Sequence, residues 1–118
     1  MALDIREMQE MQKKLQDQYA GIWEPIDFEH GKNKMLWMLA EMGEAIQIVK
    51  RRQERNSRQA FIEELADVLM YFHDVLLCYG ISPEEFEEIY RAKHERNLTR
   101  WKNNSQAEGK AAEERESK

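Results

Sequence analysis

The chain is poor in cysteine, proline and glycine, with one, two and five among its 118 residues. The single cysteine, Cys78, excludes an intramolecular disulfide and a zinc cluster built on several cysteines, and we expect it to be a small buried residue. Few Gly and Pro favour long helices over many short strands. No apolar run approaches the roughly 20 residues that span a bilayer, and no signal-like segment opens the chain. We therefore expect a cytoplasmic protein without membrane contact.

The chain also lacks an excess of positive charge. Its net charge of −5 argues against a broad surface for a nucleic acid polymer. Apolar residues make up 42% and charged residues 35%, which is typical of a helical domain with charged outer faces. The length predicts one domain. We place it at residues 1–102, followed by a polar tail at 103–118 that is too poor in apolar residues to fold.

Apolar spacing predicts four helices, at about residues 3–20, 32–55, 58–79 and 83–101. Gly80 suits the residue that ends the third helix, and Ser82 with Pro83 suits the start of the fourth. Short loops between four helices predict an all-α, antiparallel four-helix bundle. The third helix is apolar over more than half of its circumference, so we expect it at the centre of the bundle or under a partner subunit.

Two predicted apolar stripes define which faces of the first two helices should be buried. The stripe of the first helix consists of Leu3, Met8, Met11, Leu15 and Tyr19. The stripe of the second helix consists of Met35, Leu39, Met42, Ile46 and Val49. The basic run that follows, Lys50, Arg51, Arg52 and Arg55, suits the negative end of a helix, and Lys50 is alternatively a phosphate contact.

Two acidic pairs lie within these apolar helices, Glu41 with Glu44 and Glu64 with Asp67. Each pair is spaced i, i+3 and so shares one helix face. Carboxylates on an apolar face are unfavourable unless a cation or a hydrogen-bond donor meets them. Mg²⁺ and Mn²⁺ prefer such oxygen ligands, so two pairs on adjacent antiparallel helices predict a divalent-metal site. An alternative is that both pairs are ordinary solvated charges.

Other catalytic patterns are missing. The three histidines are scattered without zinc spacing, and no P-loop, dinucleotide-binding or nucleophile-elbow motif occurs. We expect His73, beside Asp74 on the third helix, to be a structural residue. The acidic pairs are therefore the leading candidate for chemistry.

The strings EMGE and ELAD, in that order and followed by a last helix, resemble the signature of the all-α nucleoside triphosphate pyrophosphohydrolases. That superfamily includes the MazG proteins, the dimeric dUTPases and phosphoribosyl-ATP pyrophosphohydrolase. The resemblance covers about residues 29–101. It implies an oligomeric bundle of that type, and an enzyme that hydrolyses nucleoside triphosphates to monophosphate and pyrophosphate, in nucleotide-pool cleansing.

Roles for individual residues also follow from the resemblance. Glu41, Glu44, Glu64 and Asp67 would be the Mg²⁺ ligands, with Mn²⁺ as an alternative, and Glu41 and Glu44 would also act on the attacking water. The last helix would supply Lys93 for phosphate and Asn97 for the sugar or base, with Arg100 nearby. Trp37, one turn before Glu41, could stack on a base or belong to the core.

The chain lacks the extra helices with which dimeric dUTPases complete a site, so the resemblance implies a homodimer or homotetramer. Two alternatives remain open. One is an enzyme like phosphoribosyl-ATP pyrophosphohydrolase, and the other is a non-catalytic helical dimerisation or adaptor module.

Overall fold

The computed structural model describes residues 2–105 and the side chains of residues 2–100. Four helices follow one another: α1 (Ile5–Gln18), α2 (Gly31–Lys50), α3 (Arg58–Cys78) and α4 (Pro83–Ser105), with a short 3₁₀ turn at Phe28–His30. Across residues 2–105 the only extended pairing is an isolated bridge between Ala20 and Trp23. The prediction of an all-α protein with four helices is confirmed. Of the predicted tail at 103–118, residues 106–118 lie outside the part of the chain that the structure describes.

The chain divides into two compact units, Met1–Pro83 and Glu84–Lys118. The first unit contains α1, α2 and α3, and the second contains nearly all of α4. Helix α4 continues to Ser105, past the predicted end near Trp101. The predicted domain boundary after residue 102 stays a prediction.

Side-chain caps explain where two of the helical segments begin. Asp4 precedes α1, and its Oδ1 accepts a hydrogen bond of 2.8 Å from the backbone N–H of Glu7. Asp27 precedes the 3₁₀ turn, and its Oδ1 accepts one of 3.0 Å from the N–H of His30. The Asp4 carboxylate satisfies an N–H that has no partner within its helix, and its charge suits the helix N-terminus. The Asp27 carboxylate is a second acceptor for an N–H that also donates to the Asp27 carbonyl at 3.1 Å.

Helix α2 ends at Lys50 in a Schellman motif whose left-handed residue is Arg52, with φ 56°. The N–H of Arg52 donates to the Val49 carbonyl, and the N–H of Gln53 donates to the Ile48 carbonyl, both at 2.9 Å. Glycine usually occupies this position because it has no Cβ to clash. The chain therefore turns away from the helix through a residue with an unfavourable conformation.

This ending corrects the predicted extent of the second helix. Only Lys50 of the basic run lies within α2, and Arg51, Arg52 and Arg55 lie in the connection to α3. The backbone hydrogen bonds of the Schellman motif stop the helix five residues before the predicted end at residue 55. The sequence offered no glycine to mark this stop.

Helix α3 ends with the same motif, this time at a glycine. Gly80 has φ 65°, and its N–H donates to the Leu77 carbonyl at 3.2 Å. The N–H of Ile81 donates to the Leu76 carbonyl at 2.9 Å. The prediction that Gly80 ends the third helix is confirmed, as is the start of the fourth at Pro83.

Helices α2 and α3 pack along each other in antiparallel orientation, and α1 packs on α3. Successive cross-helix contacts fix this direction. Gly31 lies against the Tyr79 ring near the start of α2, Trp37 stacks on Tyr71 further along, and Glu41 approaches Glu64 beyond that. Six of the eight buried or half-buried positions of α2 recur every three or four residues: Gly31, Lys34, Met38, Glu41, Ala45 and Ile48.

The inward face of α2 is therefore not its predicted apolar stripe. All five stripe residues are exposed, with Leu39 at 65% and Ile46 at 49%. Leu36 lies beside them and is also exposed. The prediction was wrong about the orientation of this helix. Gly31 leaves room for the Tyr79 ring to approach α2 closely, and Ala45 is buried on the same face.

The stripe predicted for α1 needs a similar correction. Met8, Leu15 and Tyr19 are half-buried, but Leu3 and Met11 are exposed. The most buried residues of α1 are glutamines instead: Gln9, Gln12 and Gln16. They are spaced on one helix face, and their amides meet hydrogen-bond partners on and after α3.

Among residues 2–105 no single helix is both long and apolar enough to cross a membrane. Helices α3 and α4 reach the required length and composition only when they are taken together as a broken pair.

Candidate metal site and adjoining cavity

Three of the four predicted carboxylates meet where α2 crosses α3. Glu41 of α2 and Glu64 and Asp67 of α3 each place a carboxylate oxygen within 4.8 Å of the others. Glu41 belongs to the face of α2 that packs on α3, and the antiparallel register brings it opposite both acids. Oxygens at this spacing can surround one small divalent cation.

The electrostatics of the group show that it is short of positive charge. Hydrogen bonding to Glu64 raises the pKa of Glu41 to about 7, with further contributions from desolvation and from the charges of Glu64, Asp67 and Glu44. Desolvation, followed by the charges of Glu64 and Glu63, raises the pKa of Asp67. A cation bound among these carboxylates would oppose the charge repulsion that contributes to both raised pKa values.

One oxygen of the group has no hydrogen-bond partner. The Oε2 atom of Glu64 is buried and unpartnered among the described residues. A buried carboxylate oxygen without a donor is unfavourable, and a metal ion would satisfy it. The remaining predicted ligand, Glu44, is exposed and is not within the 4.8 Å group, although its charge reaches Glu41.

A cavity of about 360 Å³ opens beside Glu41 and Asp67. Its middle is aromatic. The rings of Trp37 and Tyr71 stack with centroids 6.5 Å apart and an angle of 13° between their planes. Trp23 also lines the cavity and is held by stacking on Tyr19, at 4.4 Å and 14°. Trp37 is 50% exposed, so it is a cavity wall and not a core residue.

The far end of the cavity is polar and buried. Asp74 is 1% exposed, and its Oδ1 accepts a hydrogen bond of 2.9 Å from Nε2 of Gln12. Burial raises the pKa of Asp74, whereas hydrogen bonds from Gln12 and Gln16 and the charge of Lys34 oppose that rise. Lys34 is itself buried, and its Nζ donates to the Glu24 carbonyl at 3.5 Å.

The predicted substrate residues of the last helix lie in the second unit. Lys93 and Asn97 line a shallow depression on α4, and Nη2 of Arg100 donates to Oδ1 of Asn97 at 3.1 Å. Their contact with a substrate stays a prediction. Lys50, the alternative phosphate contact, is the last residue of α2.

Sequence reasoning did not identify the polar end of the cavity. The sequence gives no strong signal for Gln12 and Gln16, because glutamine is common on solvated helix faces. Their signal was the spacing of Gln9, Gln12 and Gln16 on one face of α1. In the sequence, Asp74 stands out only as the neighbour of His73, and no motif assigns it a role.

Two buried residues of α3 behave largely as expected. His73 is buried, and burial lowers its pKa, although its Nδ1 has no hydrogen-bond partner among the described residues. Cys78 is buried with a free thiol, as predicted.

No protein-family model, curated protein or solved structure matches the chain. The candidate function therefore depends on the chemistry of the cluster and the cavity.

Proposed function

We propose that the protein is a Mg²⁺-dependent nucleoside triphosphate pyrophosphohydrolase that resembles the MazG-like enzymes. It would convert a nucleoside or deoxynucleoside triphosphate and water to the monophosphate and pyrophosphate. The observation that carries the proposal is the carboxylate group formed by Glu41, Glu64 and Asp67 at the mouth of an aromatic cavity.

The three carboxylates fit a hard divalent cation. They supply only oxygen ligands, Glu64 has a buried oxygen without a donor, and the neighbouring carboxylates raise the pKa of Glu41. Glu41, Glu64 and Asp67 would hold Mg²⁺ or Mn²⁺, which would shield the phosphate charge and lower the pKa of bound water.

The protein's own side chains would then position and deprotonate the nucleophile. Water adds to a phosphorus of the α–β anhydride, the bridging P–O bond breaks, and pyrophosphate leaves. A carboxylate takes the proton that the water loses. We propose Glu41 for this role because its carboxylate belongs to the group that would hold the cation and its bound water. Glu44, one turn further along α2, is the second candidate.

The aromatic walls support a nucleotide as the ligand. Trp37, Tyr71 and Trp23 present flat faces beside the carboxylates, and a base could stack on them. On α4 we propose that Lys93 contacts phosphate, that Asn97 contacts the sugar or base, and that Arg100 assists.

The decisive experiment measures pyrophosphate release from a panel of NTPs and dNTPs with and without Mg²⁺. Wild type should release pyrophosphate only with the metal, and Asp67→Asn should lose that activity. Glu63→Gln is the matched control, because Glu63 is exposed on the same helix. If pure wild-type protein hydrolyses no member of the panel and binds no Mg²⁺, the proposal is wrong.

We also propose that the chain assembles as a homodimer or homotetramer through the exposed apolar face of α2, in an antiparallel bundle. This face contains Leu36, Leu39, Met42, Ile46 and Val49. Contiguous exposed apolar residues are typical of interfaces. In sedimentation experiments Ile46→Glu should dissociate the assembly, whereas Gln47→Glu, at an exposed neighbour, should not. A monomeric wild type would contradict this part of the proposal.

The exposed apolar faces also favour one alternative, a non-catalytic dimerisation or adaptor module. Titration of Mg²⁺ or Mn²⁺ into wild type and Asp67→Asn separates the two functions, because the adaptor predicts no metal binding by either protein. Phosphoribosyl-ATP hydrolysis would use the same carboxylates, so that substrate belongs in the panel.

A further inference from the structure

The cavity is built in layers along two antiparallel helices. Helices α2 and α3 contribute three successive pairs of side chains: Glu41 with Asp67, Trp37 with Tyr71, and Lys34 with Asp74. The interval from Asp67 to Asp74 is seven residues, or about 10 Å along the helix axis. That distance is similar to the length of a nucleoside from its 5′ oxygen to the far edge of its base.

Each layer suits a different part of one ligand. The acidic layer suits a metal-bound phosphate, and the aromatic layer suits a flat ring. The last layer is buried and charged, and it is completed by Gln12 and Gln16 of α1. A nucleotide whose phosphates lie at Glu41 and Asp67 would place the hydrogen-bonding edge of its base against Asp74.

At Asp74, this last layer presents hydrogen-bond acceptors. A carboxylate oxygen can only accept, so Gln12 must use its Nε2 to donate to Asp74, as the distance of 2.9 Å shows. Gln16 also hydrogen-bonds Asp74. Each amide keeps its oxygen as an acceptor and its second N–H as a donor, beside the remaining lone pairs of Asp74. Lys34 supplies a charged donor to this layer.

We propose that Asp74, held by Gln12 and Gln16, reads the base of the nucleotide and selects cytosine or adenine over uracil, thymine or hypoxanthine. The inference rests on the proposed function, because it takes the ligand to be a nucleotide. Cytosine and adenine carry an exocyclic amino group next to a ring nitrogen. The amino group donates to Asp74, and the ring nitrogen accepts from Lys34.

The bases that are selected against differ at the same atom. Uracil and hypoxanthine carry a carbonyl oxygen in place of the amino group. In the same pose, that oxygen would face the carboxylate of Asp74, and the adjacent ring N–H would face the ammonium group of Lys34. An acceptor would then oppose an acceptor, and a donor would oppose a donor, in a buried place. A site built to pair with a substrate N–H strongly rejects an analogue that lacks it.

The test compares ligands that differ only in this group. Binding of dCMP against dUMP, and of dAMP against dIMP, is measured by intrinsic tryptophan fluorescence, since Trp23 and Trp37 line the cavity. Wild type should bind the amino member of each pair about 10- to 100-fold more tightly. Equal affinities within both pairs would overturn the inference, and this result needs no variant.

Two variants separate base reading from catalysis. Asp74→Asn offers a donor as well as an acceptor, so it should lose most of the preference. Asp67→Asn should keep the preference in monophosphate binding while it loses hydrolysis. If dCTP and dUTP are hydrolysed equally, the base-reading inference fails and the proposed function stands. If dCMP binds selectively but no triphosphate is hydrolysed, the proposed hydrolysis fails and the selectivity of the cavity stands.

Discussion

Replacement of Glu41 by glutamine should stabilise the metal-free protein above neutral pH. Hydrogen bonding to Glu64, together with desolvation and nearby charges, raises the pKa of Glu41 from 4.5 to about 7. The folded protein therefore holds a proton between these two pH values that the unfolded chain releases. Stability is lost as the pH rises through this interval, because deprotonation leaves like charges together. The neutral amide of the Glu41→Gln variant would mimic the protonated carboxyl at every pH.

The size of the effect follows from two considerations. A shift of this size corresponds to about 3 kcal/mol at most, at about 1.4 kcal/mol for each pKa unit. Glu41 is only partly buried, and solvent screening reduces the effective value to about 1 kcal/mol. Coulomb's law in water gives a similar figure of about 0.9 kcal/mol for two carboxylate charges 4.8 Å apart. The thermal midpoint should therefore rise by about 4–8 °C.

Thermal unfolding followed by circular dichroism at fixed protein concentration, with EDTA present, measures this effect. Glu41→Gln and wild type should be equally stable below about pH 4.5, and the variant should be more stable above about pH 7. Glu10→Gln, on the exposed face of α1, is the control for net charge. A difference that does not change with pH, or a variant less stable than wild type at high pH, would refute the reasoning.

Two further predictions concern the backbone. Gly31→Ala should lower the free energy of unfolding by about 1–3 kcal/mol because a Cβ would collide with the Tyr79 ring, whereas Gly43→Ala, where a Cβ meets nothing, should raise it by about 0.5–1 kcal/mol. Arg52→Gly should raise the free energy of unfolding by up to about 1 kcal/mol, because glycine adopts a positive φ without strain. Arg55→Gly removes the same charge and should not raise the free energy of unfolding. Urea unfolding measures all four variants, and a reversed order within either pair would contradict these predictions.

Local sequence signals predicted the helices well where the chain carries a distinct marker. Gly80 ended α3 and Pro83 began α4, as expected. The Schellman motif at Arg52 ends α2 without such a marker, because arginine can adopt the left-handed conformation but does not predict it. The predicted end was therefore wrong where the stop depends on backbone hydrogen bonds alone.

Predictions of buried faces were less successful. The sequence pattern of α2 predicted that Leu39 and Ile46 face inward, but both side chains are exposed. The residues that face α3 include Glu41 and Lys34. Periodicity shows that a helix has an apolar face, but it does not show what covers that face. In a chain that presents apolar residues on several sides, part of the apolar surface can be reserved for another subunit.

The candidate site was predicted in part. The i, i+3 spacing predicted that Glu41 neighbours Glu44 on one helix and that Glu64 neighbours Asp67 on the next. The antiparallel register of α2 and α3 brings Glu41 beside Glu64 and Asp67. Glu44 shares that spacing but lies outside the group, because each residue turns a helix by about 100° and the inward face of α2 includes only one of the two acids.

The sequence by itself determined the helical class, most helix ends and the presence of two acidic pairs. These features depend on interactions among residues close in the chain, such as turn hydrogen bonds and side-chain spacing. Only the tertiary structure decided the rotation of each helix, the pairing of Glu41 with Glu64, and the cavity that ends at Asp74 and Gln12. These depend on contacts between residues up to 72 positions apart. No local preference encodes them, because glutamine and glutamate suit an exposed helix face as well as a buried polar one.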